Sequence, residues 1–547
     1  ENPGDSDENN SYVITVQARD ISSNTSDQKV TITVNDVEEI VQVWKKIGND
    51  IDGEEAGDLF GNTVSLSSDG SAVAVGAPYN DSIGNNSGHV RIYENNSGSW
   101  ERVGDDIHGE WGDYLGSSVS ISSDGSVVAI GATGGYYGDG GSVRIYKNVN
   151  GTWEKVGDDI DGVKEWDGLG NSVSLSADGS IVAIGATEGD VNGSKGGLVS
   201  VYRNLNNKWK KIGEDITGEN VSDDLGFSVS LSADGSVIAI GASPDWENDL
   251  GFVRIYKNVN ESWEKVGNDI DGVNKWDFKE SGWSVSLSND GSIVAIGAPG
   301  SSLVRIYQNV NENWEQVGED IFGEAIINGD SKSLEGGIEK AGFSVSLSDD
   351  GSIVAIGDIE NDGKGEDIFS NTGGQTAGDS GHVRVYQNLN GTWTQLGSDI
   401  NGKLNGDLSG YSVSLSADGT IVAIGEGNEL SPNELDHVLD LRDYKVRIFE
   451  TGVSNGLLIN SPLGFYVGER STITIKENSK DLYVLNANKK VTWSINDGID
   501  KDKFIINAST GDLSFRLAPD YEDPTDSGND NSYVVTVQAT DTSNNIS

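Results

Sequence analysis

The chain has no cysteine and no methionine among its 547 residues, only 4 histidines and 8 prolines, and 37 basic residues against 88 acidic ones. Each shortage excludes something. Without cysteine there are no disulfides, thiolate zinc sites or cysteine nucleophiles. Without methionine the natural start is missing, so the sequence is expected to be part of something longer. A net charge of −51 repels nucleic acid and anionic lipid and attracts divalent cations. No run approaches the roughly 18 apolar residues of a membrane span. No signal peptide is evident either, so any anchor or export signal is expected outside these residues. Apolar residues make up only 35% of the chain, low for a globular protein. They fall in regular alternating blocks, which argues against disorder and for β-structure with thin, layered cores.

What is abundant is repetition. The phrase WEKVGDDIDG, then DGLGNSVSLSADGSIVAIGA, then a variable stretch and GLVSVYRN, spans Trp153 to Asn204, and near copies start at Trp44, Trp100, Trp209, Trp263, Trp314 and Trp393. A period of about fifty residues signals stacked units that cannot bury a core alone. The third unit offers four strands: Ser172 to Ser176, Ile181 to Gly185, Leu198 to Asn204 and Trp209 to Gly213. Ala177-Asp178-Gly179 makes a hairpin turn between the first two. Four antiparallel strands repeated about an axis make a propeller blade; a linear solenoid would want atypical caps at both ends.

The SVSLS-type strand occurs seven times, centred on Val64, Val119, Val173, Val229, Val285, Val345 and Val413. The first Trp strand precedes the first of these, and none follows Val446. A closed ring explains that offset, with Trp44 to Gly48 supplying the outer strand of the last blade. The expectation is an all-β fold: a seven-bladed propeller over 42–452. Turns 1–2 and 3–4 then share one face and are nearly invariant. Loops 2–3 and 4–1 share the other and collect the variable insertions, where binding usually resides.

Seven aromatics fall in loops of the variable face: Tyr79, Trp111, Tyr136, Tyr137, Trp166, Trp246 and Trp276. Exposed rings there suit stacking on sugars or anchoring a protein; the alternative is that each covers its own loop. The repeated Gly-x-Asp-Ile aspartates (Asp50, Asp106, Asp159, Asp215, Asp269, Asp320, Asp399) are expected to cap or bridge the turn after the Trp strand. The repeat tryptophans are expected in core or inter-blade packing rather than in a binding cage. Asp358, Glu360, Asp362 and Glu366 place acids at positions one, three, five and nine around Gly363, the spacing of a calcium loop; a disordered acidic insertion is the alternative.

The flanks carry a second repeat type. SYVITVQARD (Ser11 to Asp20) and KVTITV (Lys29 to Val34) precede the propeller, and SYVVTVQATD (Ser532 to Asp541) closes the chain. Residues 1–41 read as the end of one strand-rich module, 453–463 as a linker, and 464–547 as a sandwich of immunoglobulin-like size lacking its last strand. Lys29 to Val34 is a candidate to complete it.

The central units resemble FG-GAP repeats, the propeller units of integrin alpha chains: Phe60-Gly61 precedes the first strand and Gly76-Ala77-Pro78 follows the second, with Leu-Gly at Leu115, Leu169 and Leu225 and Gly-Ala-Pro again at Gly297. Several first hairpins of that family hold calcium, but the seven here are short S-x-D-G turns without those ligands, so the family's sites are not carried over. The flanks resemble cadherin-type repeats, in TIKEN at Glu477, FIINASTGDL, PDYE with Asp520 and Glu522, QATD at Asp541, QARD at Asp20, and NDVEE with Asp36, Glu38 and Glu39. That resemblance implies Ca2+ held by these carboxylates, as hard oxygen donors require.

No enzyme is expected. S-x-D-G-S is similar to the Asp box of sialidases but lacks its aromatic and recurs at every hairpin. Arg91, Arg144, Arg254, Arg305, Arg384 and Arg447 share one strand position, and His89, His108, His382 and His437 form no acid–base constellation with an evident nucleophile. The resemblances imply a calcium-dependent adhesion segment of an extracellular, cell-surface protein. The propeller would be the recognition head and the cadherin-like modules the stalk, with a cell-surface protein or glycan, or a second copy, as partner. The alternative is a lectin-like propeller of a secreted polysaccharide-handling protein, and after it a spacer.

Overall fold

The structure is a computed structural model and describes residues 11–19, 25–33, 44–55, 57–134, 140–165, 167–191, 194–221, 223–243, 250–272, 280–323, 340–360, 380–404, 406–427, 444–451, 459–460, 481–484, 486–487, 491–497, 501–509, 512–516 and 536–541. It divides into two units, Glu1–Gln42 and Val43–Ser547. In the first, Ser11–Arg19 and Thr25–Thr33 form an antiparallel pair with Ser11 opposite Thr33. The expected Lys29 to Val34 strand is thus the end of a longer one whose partner is Ser11–Arg19.

The second unit contains seven five-stranded antiparallel sheets. The second blade shows the plan: Leu115–Ile121, Val127–Ala132, Ser142–Val149 and Thr152–Lys155 in that order, with Ile160–Asp161 pairing back onto the third strand. Each strand's composition follows from its place. The second strand is buried at all six positions, because sheet lies on both sides of it, so it reads as a continuous apolar run rather than an alternation. The first strand alternates. Its Val and Leu face one neighbouring sheet while its serines bond to the other: Ser120 Oγ accepts from the Leu175 N–H of the next blade at 3.0 Å, and Ser118 Oγ donates to Gly170 O at 2.7 Å.

The first turn explains its own sequence. Ser122 Oγ donates to Asp124 Oδ1 (2.8 Å), which also accepts the Ser126 N–H, while Val127 N–H donates back to Ser122 Oγ (2.9 Å). An aspartate bonding its own backbone two residues on is a turn device, and all seven blades repeat it.

The fourth strand departs from expectation. It is two pieces, one pairing with each half of the third strand, separated by the Gly-x-Asp segment. The break is made by the next blade. Gly104 adopts φ +74°, and a Cβ there would lie 2.8 Å from Gly151 O and 3.0 Å from Trp153 Cδ1. Trp153 Nε1 donates to Val103 O at 2.9 Å, so the indole of one blade docks on the broken strand of the previous one.

The ring closes. Trp44–Lys46 pairs with Lys445–Thr451, Trp44 opposite Thr451, and Ile51 lies opposite Val446. Trp44 Nε1 reaches Leu396 O at 2.9 Å, and Trp100 in turn reaches Ile47 O at 3.1 Å. On the turn face a circle of backbone bonds of 2.7–3.0 Å runs from Ser68 to Ser123, Ala177, Ala233, Asn289, Asp349 and Ala417 and back to Ser68. One apolar cluster fills each of the seven seams; that between the last and first blades joins Ile47, Ile51, Val446 and Ile448 to Phe60, Val64, Val73 and Val75. Burying each such side chain contributes about 1.5–3 kcal/mol. All-β, seven-bladed architecture is therefore observed.

Toward the C-terminus, Asp481–Val484, Asp512–Phe515 and Phe504–Ile506 form one sheet and Val491–Asp497 pairs with Thr536–Asp541. Phe504 and Phe515 stack at 4.6 Å.

Candidate functional site

Loops 2–3 and 4–1 do share a face, and they are knitted together there. Leu115 N–H donates to Ser87 O and Gly109 N–H to Gly88 O, joining the end of the first blade's 2–3 loop to the connection that enters the second blade. The same parallel bridge recurs at Gly141 with Leu169, Gly197 with Leu225, Gly251 with Ser281, and Gly381 with Ser409. The first strands of adjacent blades contact one another around the ring, so their starts mark the mouth of the axis on this face.

That mouth is two-sided. The residue following the glycine that opens each first strand (after Phe60, Leu115, Leu169, Leu225, Ser281, Ala341 and Ser409) is Asn62, Ser117, Asn171, Phe227, Trp283, Phe343 and Tyr411 in successive blades. The last four form a continuous arc: centroids lie 4.7, 5.3 and 4.8 Å apart with tilts of 47°, 47° and 49°. Tyr411 lies against Gly427, where a Cβ would meet its ring at 2.1 Å. Tyr79 packs edge-on against Tyr114 at 5.2 Å, and both Tyr411 and Tyr79 are half-buried. Burial raises the pKa of both phenols, and Tyr79 feels Tyr114 and Tyr411 as well.

Behind the mouth the seams are ionic. Arg91 clasps Asp106 through Nε and Nη2 at 2.9 and 2.7 Å and also contacts Glu54 from the preceding connection. Arg254 repeats this with Asp269 and, at 3.1 Å, Glu219, and Arg305 holds Asp320. Arg144 meets Asp113 at 2.7 Å and Asp159 at 3.5 Å. In the third blade Ser200 replaces the arginine and donates to Asp215. Burial works to raise Asp106, but bonding and charge from Arg91 outweigh it and hold the carboxyl below its usual range. The Gly-x-Asp-Ile aspartates are thus structural bridges: Asp106, Asp159, Asp269 and Asp320 hold the repeated arginines, whereas Asp50 takes Lys46 and Lys403 and Asp399 takes Gln395.

Four strand ends on this side bury ionisable groups: His89, His382, Asp358 and Glu426. His89 and His382 begin the third strands of blades one and six, both 1% exposed. Burial, then Arg91, pushes His89 down to about 4; burial, then Arg384, does the same to His382. Glu426 stands where five blades have the alanine of Gly-Ala and the sixth has Asp358, and is 2% exposed. Burial, aided by Asp407 and opposed by Arg447 (Nε to Oε1, 3.2 Å), raises it to about 8. Among the described residues Glu54, His89 and Asp106 form the one group with metal-ligand spacing. Arg91 binds both carboxylates and Arg102 also reaches Asp106 at 2.8 Å, so two guanidinium charges offset the two carboxylates without a metal.

Of the expected calcium ligands, Asp358 ends a strand with its carboxylate fully buried, accepting the Lys340 N–H at 2.8 Å, and Glu360 pairs with Lys340 Nζ. Asp541 ends the strand Thr536–Asp541 opposite Val491. Asp20, Asp36, Glu38, Glu39, Asp362, Glu366, Glu477, Asp520 and Glu522 lie outside the described residues. So do Tyr136, Tyr137, Trp166, Trp246 and Trp276. Trp111 is 56% exposed, beside Gly84. The structure joins Tyr79 to the mouth. The four-ring arc was not anticipated, because its members sit inside the repeat template. Aligning the seven copies on the glycine two residues before the SVSLS-type strand, after which four aromatics occur in succession, is the signal that finds it.

No curated protein matches the chain. Among solved structures, the RRP9 WD40 repeats are 15% identical, with a TM-score of 0.47 over 75% of this chain and 99% of that one. The periplasmic gluconolactonase PpgL of Pseudomonas aeruginosa is 14% identical, with a TM-score of 0.43 over 66% and 96%. A 6-phosphogluconolactonase-like protein of Bacteroides uniformis is 13% identical, with a TM-score of 0.42 over 63% and 86%. Likeness at this level transfers neither ligand nor activity. A family model for the FG-GAP repeat matches residues 51–93, which take in the end of the closing strand, the first two strands of the first blade and part of the third.

Proposed function

We propose that the propeller is the ligand-recognition head of a larger extracellular, cell-surface adhesion protein and that the loop face is its recognition surface. The observation that carries this is the asymmetry between the two faces. On the turn face every first hairpin is closed by its own Ser–Asp hydrogen bonds and the exposed apolar residues are single aliphatics such as Val149, Leu205, Val259 and Val310, whereas the loop face presents Trp111 and Ile83, more than half exposed, around an aromatic mouth. Exposed rings in polar surroundings are where binding energy concentrates.

In this reading the flanking modules form a calcium-stiffened stalk, held by carboxylates such as Asp541 and those outside the described residues, and a second copy is an admissible partner. The protein acts by binding rather than catalysis, which fits the engagement of the acid–histidine group around His89 by Arg91. Beads coated with the chain should adhere to target cells, and Ile83→Ser with Trp111→Ser should reduce adhesion. Adhesion unchanged by that pair and lost instead on Val259→Ser, on the turn face, would refute the assignment of faces. Calcium titration by calorimetry should show heat and a raised melting temperature; neither would appear if the stalk holds no calcium.

A further inference from the structure

The geometry points to an uncharged saccharide as the ligand of the axial mouth. One pyranose ring would stack on the wall of Trp283 and Phe343, with its hydroxyls bonded by Asn62, Tyr79 and Tyr411. This rests on the loop face being a recognition surface and adds the chemical class of what it recognises.

The mouth is amphipathic in the way a sugar is. Phe227, Trp283, Phe343 and Tyr411 lean by nearly the same angle from blade to blade. They pave one side with half-exposed ring surface, and aromatic faces suit the C–H face of a pyranose. Polar groups follow directly in ring order. Tyr411 belongs to the last blade, and Asn62 and Tyr79 to the first. The Asn62 amide and the phenols of Tyr79 and Tyr411 have no hydrogen-bond partner among the described residues, although their neighbours are committed. Asn171 donates to Phe227 O, Ser117 donates to Tyr114 O, and Asn86 donates to the Tyr114 hydroxyl. Three donor–acceptor groups left over beside an apolar wall are the few convergent polar groups a ligand site uses for orientation.

Charge narrows the class. The net charge of −51 disfavours anionic polymers. None of the seven residues at the mouth position is charged, so a cation would find ring faces but no carboxylate in that row. The site is also held in place before binding. Tyr411 is fixed against Gly427, and each ring is braced by the next, which lowers the ordering cost of association.

The test is calorimetric titration of the full chain with maltohexaose, mannohexaose, cellohexaose and chitohexaose, with polygalacturonate and polylysine as anionic and cationic probes. At least one neutral hexasaccharide should bind. Trp283→Ala should weaken it roughly tenfold, the equivalent of about 1.4 kcal/mol. Asn62→Ala, which removes no packed ring, should weaken it at an unchanged melting temperature, and Val259→Ser on the turn face should leave it intact. Binding that survives both mouth substitutions, heat from polylysine alone, or no heat from any hexasaccharide would each overturn the assignment. If sugars fail while the coated beads still adhere through the loop face, only the ligand class falls. If adhesion fails too, the recognition reading falls with it.

Discussion

Single side chains here do one job seven times, so their worth is measurable at one copy. Trp153→Phe keeps the ring but removes the indole N–H that reaches Val103 O at 2.9 Å. It should cost about 1–2 kcal/mol, the price of an unmade buried hydrogen bond, read as a lower urea midpoint at unchanged slope. The buried histidines predict a pH dependence. His89 and His382 titrate near 4 when folded and near 6.5 when unfolded. Between those values the unfolded chain holds protons that the folded one refuses. Stability present above pH 6.5 is therefore lost as pH falls toward 4, by about 3 kcal/mol for each histidine. His89→Gln with His382→Gln should flatten the fall of melting temperature over that window. Glu426 acts with the opposite sign: its folded value of about 8 lies above the ordinary 4.5, so its contribution is intact at pH 4.5 and lost as pH rises to 8. Glu426→Gln should remove that alkaline loss and leave the acid side unchanged. None of these three positions declared its burial in the sequence. A histidine opening VRIY or VRVY and a glutamate after Gly425 look like loop-edge residues until the neighbouring sheet covers them.

A blade is not autonomous, and its fourth strand shows why. The sequence ends this strand at its glycine, as in Trp209 to Gly213, and nothing local announces that it resumes at Ile160–Asp161. What breaks it is the neighbouring Trp209, whose Nε1 takes Val156 O at 2.8 Å. Gly157, at φ +78°, leaves 2.8 Å to Asn207 O for any Cβ. Gly157→Ala is therefore expected to cost about 1–3 kcal/mol through left-handed strain and collision, seen as a lower melting temperature. The first hairpins, by contrast, were legible, since Ser, Asp and Gly at fixed offsets state a local turn and no neighbour is needed to make it. The same distinction sorts the aspartates of Gly-x-Asp-Ile. Their regularity said bridge, but the partner is fifteen residues earlier on another strand, as in Arg305 with Asp320, and only the folded register brings the two together.

At the scale of the ring, closure was legible because it is a matter of counting: one Trp strand before the first blade, and none after Val446. The residues that seal it are Trp44–Lys46 and Ile51–Asp52, paired along Lys445–Thr451. Their contribution can be separated from that of the inner strands, whose circle of backbone bonds at Ser68 and its equivalents does not include them. A chain starting at Gly53 should therefore still assemble seven inner sheets while leaving the outer edge of the last blade unpaired and Leu396 O without its indole donor. An open edge is a template for pairing with another chain. The truncated protein should melt about 5–10 °C lower, since a few kcal/mol of ladder and packing are lost, and should self-associate with increasing concentration. A synthetic peptide spanning residues 43–52 should bind the truncated protein, restore the melting temperature and suppress association, and the same peptide with Trp44→Ala should do so poorly. Truncated protein that stays monomeric and melts with the intact chain would mean that the seam is held by the inner strands alone.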